Sequence, residues 1–165
     1  MVNVSRGIIL LALITLMAPA SIAWSQDYSM YFDTSETAPS GSSIQIRCLL
    51  DNPAGAIAGW SFAVCEENTD NFYDFTNAAD GQATLTANGG APAAFAELTI
   101  CPGEGVIHGV VVDFVGINSL PSGAGYEMVV IDMDLLGPDD TFATVDYCNA
   151  AFGCSTSSPT ETLVV

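Results

Sequence analysis

Beyond residue 25 the apolar positions come in short runs that alternate with polar ones, and turn residues close each run. Ile44, Ile46, Cys48 and Leu50 alternate with Gln45 and Arg47, the clearest period of two in the chain. Trp60, Phe62 and Val64 alternate with Ser61 and Ala63, and Leu98 and Ile100 alternate with Glu97 and Thr99. Two longer runs follow, Val106 to Val115 and Tyr126 to Leu135. The first sets Val110, Val112 and Phe114 against Asp113; the second sets Val129, Ile131, Met133 and Leu135 against Asp132 and Asp134. Each predicts a strand with one face inward, and the two long ones read as central strands. Tyr28, Tyr31 and Phe32 predict an edge strand. Asn77 to Ala94, rich in Ala and Gly and poorly patterned, predicts a weak edge strand between loops.

The punctuation agrees. Pro39-Ser40-Gly41, Asn52-Pro53, Asp80-Gly81, Asn88-Gly89-Gly90, Pro102-Gly103-Glu104-Gly105, Pro121-Ser122-Gly123 and Gly137-Pro138-Asp139-Asp140 all fall between apolar runs. Proline has no amide to donate to a ladder, so a sheet protein must keep it there. No long helical periodicity and no crossover helices interrupt the series, which excludes a parallel α/β sheet. The expected fold is an all-β, antiparallel β-sandwich or jelly roll of about nine strands.

The first segment is different. Arg6 precedes an aliphatic stretch from Ile8 to Ala18, and Pro19-Ala20-Ser21-Ile22-Ala23 supplies small residues at signal-peptidase spacing. This predicts a secretory signal over residues 1–23, cleaved after Ala23, with Ser25 as the second choice. The competing reading is an uncleaved anchor, but the strongly apolar core is short for a span. Cleavage removes Arg6 and leaves Arg47 alone against 19 acidic residues. A chain this acidic, with a net charge of −17 before cleavage, repels phosphate backbones and anionic lipid. Nucleic acid and, once the signal is gone, membrane are excluded as partners. Half of the residues are hydrophobic, which is enough for a packed core and excludes a disordered chain.

Five cysteines in an exported chain predict disulfides, with one thiol left over. The short loop between Cys148 and Cys154 favours a bridge there. Cys65 with Cys101 is a second pair, and Cys48 with Cys65 competes with it. Cys48, on the apolar side of its strand, also reads as a small buried hydrophobe. No C-x-x-C pair exists and His108 is the only histidine, which argues against zinc. His108 shares the alternation of Val110 and Val112 and reads as a packed structural residue. There is no G-x-S-x-G elbow to suggest a serine hydrolase, and carboxylates are too numerous for any pair to signal a glycosidase. Asp132, Asp134, Asp139 and Asp140 stand near one strand end, where they form either a calcium site or a solvated acidic edge. No other cofactor is indicated. Trp60 and Phe62 read as core rings before they read as a sugar platform.

Several segments together resemble the cohesin family. Thr37-Ala38-Pro39-Ser40-Gly41 leads into Ser43 to Asn52, and Ile57-Ala58-Gly59-Trp60-Ser61-Phe62-Ala63-Val64 follows. These are similar to the Pro/Gly turn, the alternating strand ending in Asn and the Gly-aromatic-x-Phe strand that open cohesin-like modules. The turn at Leu120 to Glu127, Phe152-Gly153, and Thr160 to Val165 as a last strand extend the resemblance over about residues 28–165. The motifs are turns and alternation that many sandwiches share. The resemblance implies a nine-stranded jelly roll of the cohesin and carbohydrate-binding superfamily, found in exported bacterial proteins. It implies a non-enzymatic, secreted or cell-surface module that binds a dockerin-like protein on one sheet face. The runs Gly59 to Val64 and Val106 to Phe114 would belong to that sheet, with Ser61, Val111 and Asp113 pointing outward. A carbohydrate-binding module for polysaccharide is the alternative.

Overall fold

The computed structural model describes residues 28–33, 38–53, 55–66, 72–140, 144–149 and 162–165. The signal reading of residues 1–23 and the residue Cys154 lie outside them. Among the described residues the order is β1 (Ser29–Phe32), β2 (Ser43–Asn52), β3 (Gly59–Glu66), β4 (Tyr73–Asp80), α1 (Gln82–Thr86), β5 (Phe95–Cys101), β6 (Gly105–Val111), β7 (Gly123–Leu135), β8 (Val145–Cys148) and β9 (Leu163–Val164). Two antiparallel sheets form. One has the order β1-β2-β7-β4; the other runs β5-β6-β3-β8, with β9 also paired to β3. The chain passes back and forth between the layers, as a sandwich requires. No described helix is long and apolar enough to cross a membrane.

The alternation decides which side of each strand is covered. Ile46, Cys48 and Leu50 of β2, Trp60, Phe62 and Val64 of β3, and Val129, Ile131 and Met133 of β7 are all buried between the sheets. Their polar alternates face out. Burying one such side chain fully is worth about 1.5–3 kcal/mol, so the period of two selects the register as well as the strand. The long β7 holds the first sheet together by pairing with both β2 and β4.

Two segments depart from the expected pattern. The weak edge strand expected over Asn77 to Ala94 divides into the end of β4 and the helix α1. A register shift between Phe75 and Asn77 breaks the alternation of β4 and hides the strand, although Tyr73 and Phe75 are buried. The residues of α1 are small enough to lie on β7: Ala83 and Thr84 are buried, and the Thr84 hydroxyl donates to the Met128 carbonyl at 2.8 Å. Gly81 makes that approach possible, since a Cβ there would stand 2.4 Å from the Glu127 carbonyl oxygen. The second departure is the Val106 to Val115 run. Its strand ends at Val111; Val112 is still buried, but Phe114 turns out to solvent with 73 % of its surface exposed.

The cysteine pairing also differs. Cys65 is bonded to Cys148, with Cα atoms 6.2 Å apart. Neither the Cys148–Cys154 bridge nor the Cys65–Cys101 bridge is therefore available. Loop length favoured the first, but the sheet sets β8 beside β3, with Cys148 opposite Ala63, and brings Cys65 within reach two positions away. Cys65 and Cys101 both pair with Gly105 of the intervening β6. Two strand spacings of about 4.8 Å separate them, beyond the span of a disulfide. Cys101 is disulfide-bonded as well. Cys48 is free and buried, as its place on the apolar side implied, and does not pair with Cys65. Burial pushes its thiol up to about 12.

Candidate docking face

The two outward faces of the sandwich differ in how their polar side chains are used. On the β1-β2-β7-β4 sheet many polar side chains are bonded to one another. Gln45 and Asn77 donate to Asp132 at 2.9 and 3.0 Å, and the Ser43 hydroxyl donates to Asp134. Arg47 lies 3.3 Å from Glu127 and 4.0 Å from Asp33. The amides of Gln45 and then Asn77 hold the Asp132 carboxyl below its ordinary range. Three of the carboxylates proposed for calcium thus have partners of their own. Asp132 and Asp134 are occupied on the strand, while Asp139 accepts from the Ser40 amide at 3.1 Å. Asp140 stands in the turn with a positive φ of 66°. Among the described residues no three His, Cys, Asp or Glu side chains come together around one point.

The outward face of the β5-β6-β3-β8 sheet mixes small and apolar residues with Glu97, Thr99 and Asp146. Ser61 of β3, Gly109 of β6, Glu97 of β5 and Leu163 of β9 form one row across it. Val111 and Phe95 stand opposite each other in the next row. Phe95 and Leu163 are 44 % and 48 % exposed. A Cβ on Gly109 would meet nothing within 4 Å, so this glycine leaves a flat opening in the middle of the row. A glycine within an otherwise apolar strand is a signal of close backbone approach, and in the Val106 to Val111 run it was readable. Phe95 and Leu163 carried no comparable signal, because their place on this face depends on the partners of β5 and β9. Further along the same face, Ala63 and Cys101 are fully buried, with Cys65, Ile107 and Cys148 packed around them. The open part is thus the end that holds Ser61, Gly109 and Val111.

Of the three residues expected to point outward, Ser61 and Val111 lie on this face and are partly exposed. Asp113 lies beyond the last residue of β6. Its carboxylate accepts the amides of Val115 at 2.9 Å, Ile117 at 3.1 Å and Asn118 at 3.0 Å. The Val115 amide first, then that of Asn118, lowers its pKa. A short polar side chain that bonds its own following backbone builds a turn, which is why the strand stops here.

His108 points the other way, into the core. Its Nδ1 accepts from the Trp60 indole at 3.3 Å and its Nε2 lies 3.2 Å from Asp80. Phe62 meets the imidazole ring edge-on at 5.4 Å. Because β4 carries Asp80 and β6 carries His108, this contact joins the two sheets. The ring is fully buried, while its partner Asp80 is part-exposed. A second polar link crosses the sandwich at Tyr147 of β8, which donates to the Tyr31 carbonyl at 3.1 Å and stacks on Phe32 at 4.5 Å.

No protein-family model matches this sequence, and no curated protein matches it either. Among solved structures it is similar to the sixth cohesin of scaffoldin B from Acetivibrio cellulolyticus, solved in complex with a Cel5 dockerin mutant. The identity is 17% and the TM-score 0.54, over 80% of this chain and 89% of that one. The fold is cohesin-like. A non-cellulosomal cohesin from the hyperthermophilic archaeon Archaeoglobus fulgidus is also similar, at 16% identity and a TM-score of 0.47, over 73% of this chain and 76% of that one. The cohesin-like sandwich thus contains both outward faces and the buried His108 link described above.

Proposed function

We propose that this protein is a non-enzymatic binding module, exported to the cell exterior or its surface, that docks a protein partner on the open outward face of the β5-β6-β3-β8 sheet. The observation that carries the reading is the contrast between the two faces. One is covered by side chains that satisfy each other; the other presents Ser61, Gly109, Val111, Phe95 and Leu163 around a flat glycine. Flat apolar surface rimmed by polar groups is what protein association buries. The cohesin-like fold supports an assembly role, since the similar scaffoldin cohesin was solved bound to a dockerin. The secretory signal read in residues 1–23 and the Cys65–Cys148 bridge support export.

Calorimetric titration of the exported chain with a panel of dockerin modules tests this reading. Binding to at least one module is expected, and Ser61→Arg or Val111→Arg, which fill the face without touching the core, should weaken it by roughly tenfold or more. Retention of the protein on a polysaccharide matrix, unaffected by either substitution and without any dockerin bound, would instead make it a carbohydrate-binding module.

A further inference from the structure

Loop 113–118 spends an unusual number of hydrogen bonds on holding apolar side chains in water. Phe114, Val115 and Ile117 are 73 %, 79 % and 81 % exposed, the three most exposed large hydrophobic residues among those described. Yet the backbone beneath them is tightly held. Besides the three amides bound to the Asp113 carboxylate, the Gly116 amide donates to the Asp113 carbonyl at 3.2 Å, with Gly116 in the left-handed region at φ 71°. The Asn118 side chain donates to Asn88 at 2.7 Å, tying the loop to the turn after α1. An ordered loop that exposes this much apolar surface gains nothing for folding from those side chains. The arrangement is what pre-organisation for binding requires.

Two observations say what covers it. First, the loop begins at the edge of the open docking face: the Ala94 amide donates to the Val112 carbonyl, and Phe95 stands opposite Val111, immediately before the loop. Second, the chain has a net charge of −17, and Arg47, the sole Lys or Arg among the described residues, is engaged by Glu127 and Asp33. A second copy of this chain would bring like charge against like. Exposed Glu97 stands two positions from Phe95 on the same side of β5, and Asp113 lies under the loop. We infer that loop 113–118 is an apolar anchor for the partner of the docking face, and that the partner segment presents apolar side chains edged by Lys or Arg. This rests on the docking reading above and names the chemistry of its partner.

The test selects phage-displayed random peptides on the full exported chain and measures the selected synthetic peptides against variants. Peptides that combine aromatic or aliphatic residues with Lys or Arg are expected. They should bind Phe114→Ser/Ile117→Ser roughly tenfold or more weaker than the parent, leave Leu136→Ser at the far end of β7 unaffected, and weaken in about 0.5 M NaCl. Unchanged thermal melting shows that the double variant is folded, as substitution of two exposed side chains predicts. The inference is overturned if the peptides bind the double variant as well as the parent, or lack basic residues and ignore salt. It is also overturned if the loop instead mediates sedimentation with phosphatidylcholine vesicles or self-association of the chain. Peptides lost on Ser61→Arg but retained by the loop variant would remove the anchor and keep the docking face; the converse would keep the anchor and remove the face.

Discussion

At the scale of single residues, the polar groups inside this sandwich have assigned protons. An indole N–H only donates, so Nδ1 of His108 must accept from Trp60, which leaves the proton of the neutral ring on Nε2, directed at Asp80. A second proton would remove the acceptor that Trp60 needs. Burial accordingly lowers the imidazole to about 4, with the Asp80 charge pulling in the opposite direction. The unfolded imidazole has a pKa near 6.5. Between these values the unfolded chain binds a proton that the folded chain refuses, so the stability from His108 is whole above about 6.5 and is lost as the pH falls toward 4. The loss is on the order of 3 kcal/mol. Urea unfolding at neutral pH and near pH 4.5 should show a steeper fall in midpoint for the parent than for His108→Gln. Equal slopes would mean that the imidazole titrates freely. His108 was legible from its alternation as a packed residue. Its bond to Asp80 was not, because 28 positions separate the two and only the stacking of β4 over β6 brings them together.

At the scale of elements, legibility followed burial on one side. The strands β2, β3 and β7 each place a continuous apolar face on the core and alternate it with a less buried one, and they are readable from alternation alone. The segment after β4 was not, since α1 is held by one buried hydroxyl and by small side chains rather than by an apolar stripe. Gly81 is the point on which this docking turns. Gly81→Ala would drive a methyl group into the Glu127 carbonyl and push α1 away from β7. An overpacking loss of about 1–3 kcal/mol is expected, read as a lower urea midpoint with the slope retained. A neutral substitution would show that α1 moves without strain. The same reasoning explains why the strand within Val106 to Val115 ends early: Asp113 has the spacing of a strand's polar alternate, whereas its carboxylate collects the amides of a turn.

For the whole molecule, the dominant feature is charge. Nineteen acidic residues face two basic ones, and the acidic side chains of the β1-β2-β7-β4 face relieve little of that repulsion, since their partners there are chiefly amides and hydroxyls. Repulsion within a compact chain is screened by salt. The melting temperature should therefore rise from low ionic strength to about 0.5 M NaCl, where the Debye length falls to about 4 Å. A melting temperature that is flat or falling with salt would show that local pairing governs instead. The same charge bears on the proposed docking: an ionic contact across that face would draw its cations from the partner, because Arg47 is already held within the first sheet.

Alternation, proline placement and turn residues by themselves determined an antiparallel sandwich of about nine strands, with its inward residues, because burial on one face of a pleated strand acts at a separation of two positions. The disulfide partner of Cys65, the separate partners of Asp132, Asp134 and Asp139, and the face shared by Ser61, Gly109, Phe95 and Leu163 were decided only in three dimensions. Each depends on which strand lies beside which, and strands distant in sequence become neighbours through the packing of the whole core rather than through any local preference.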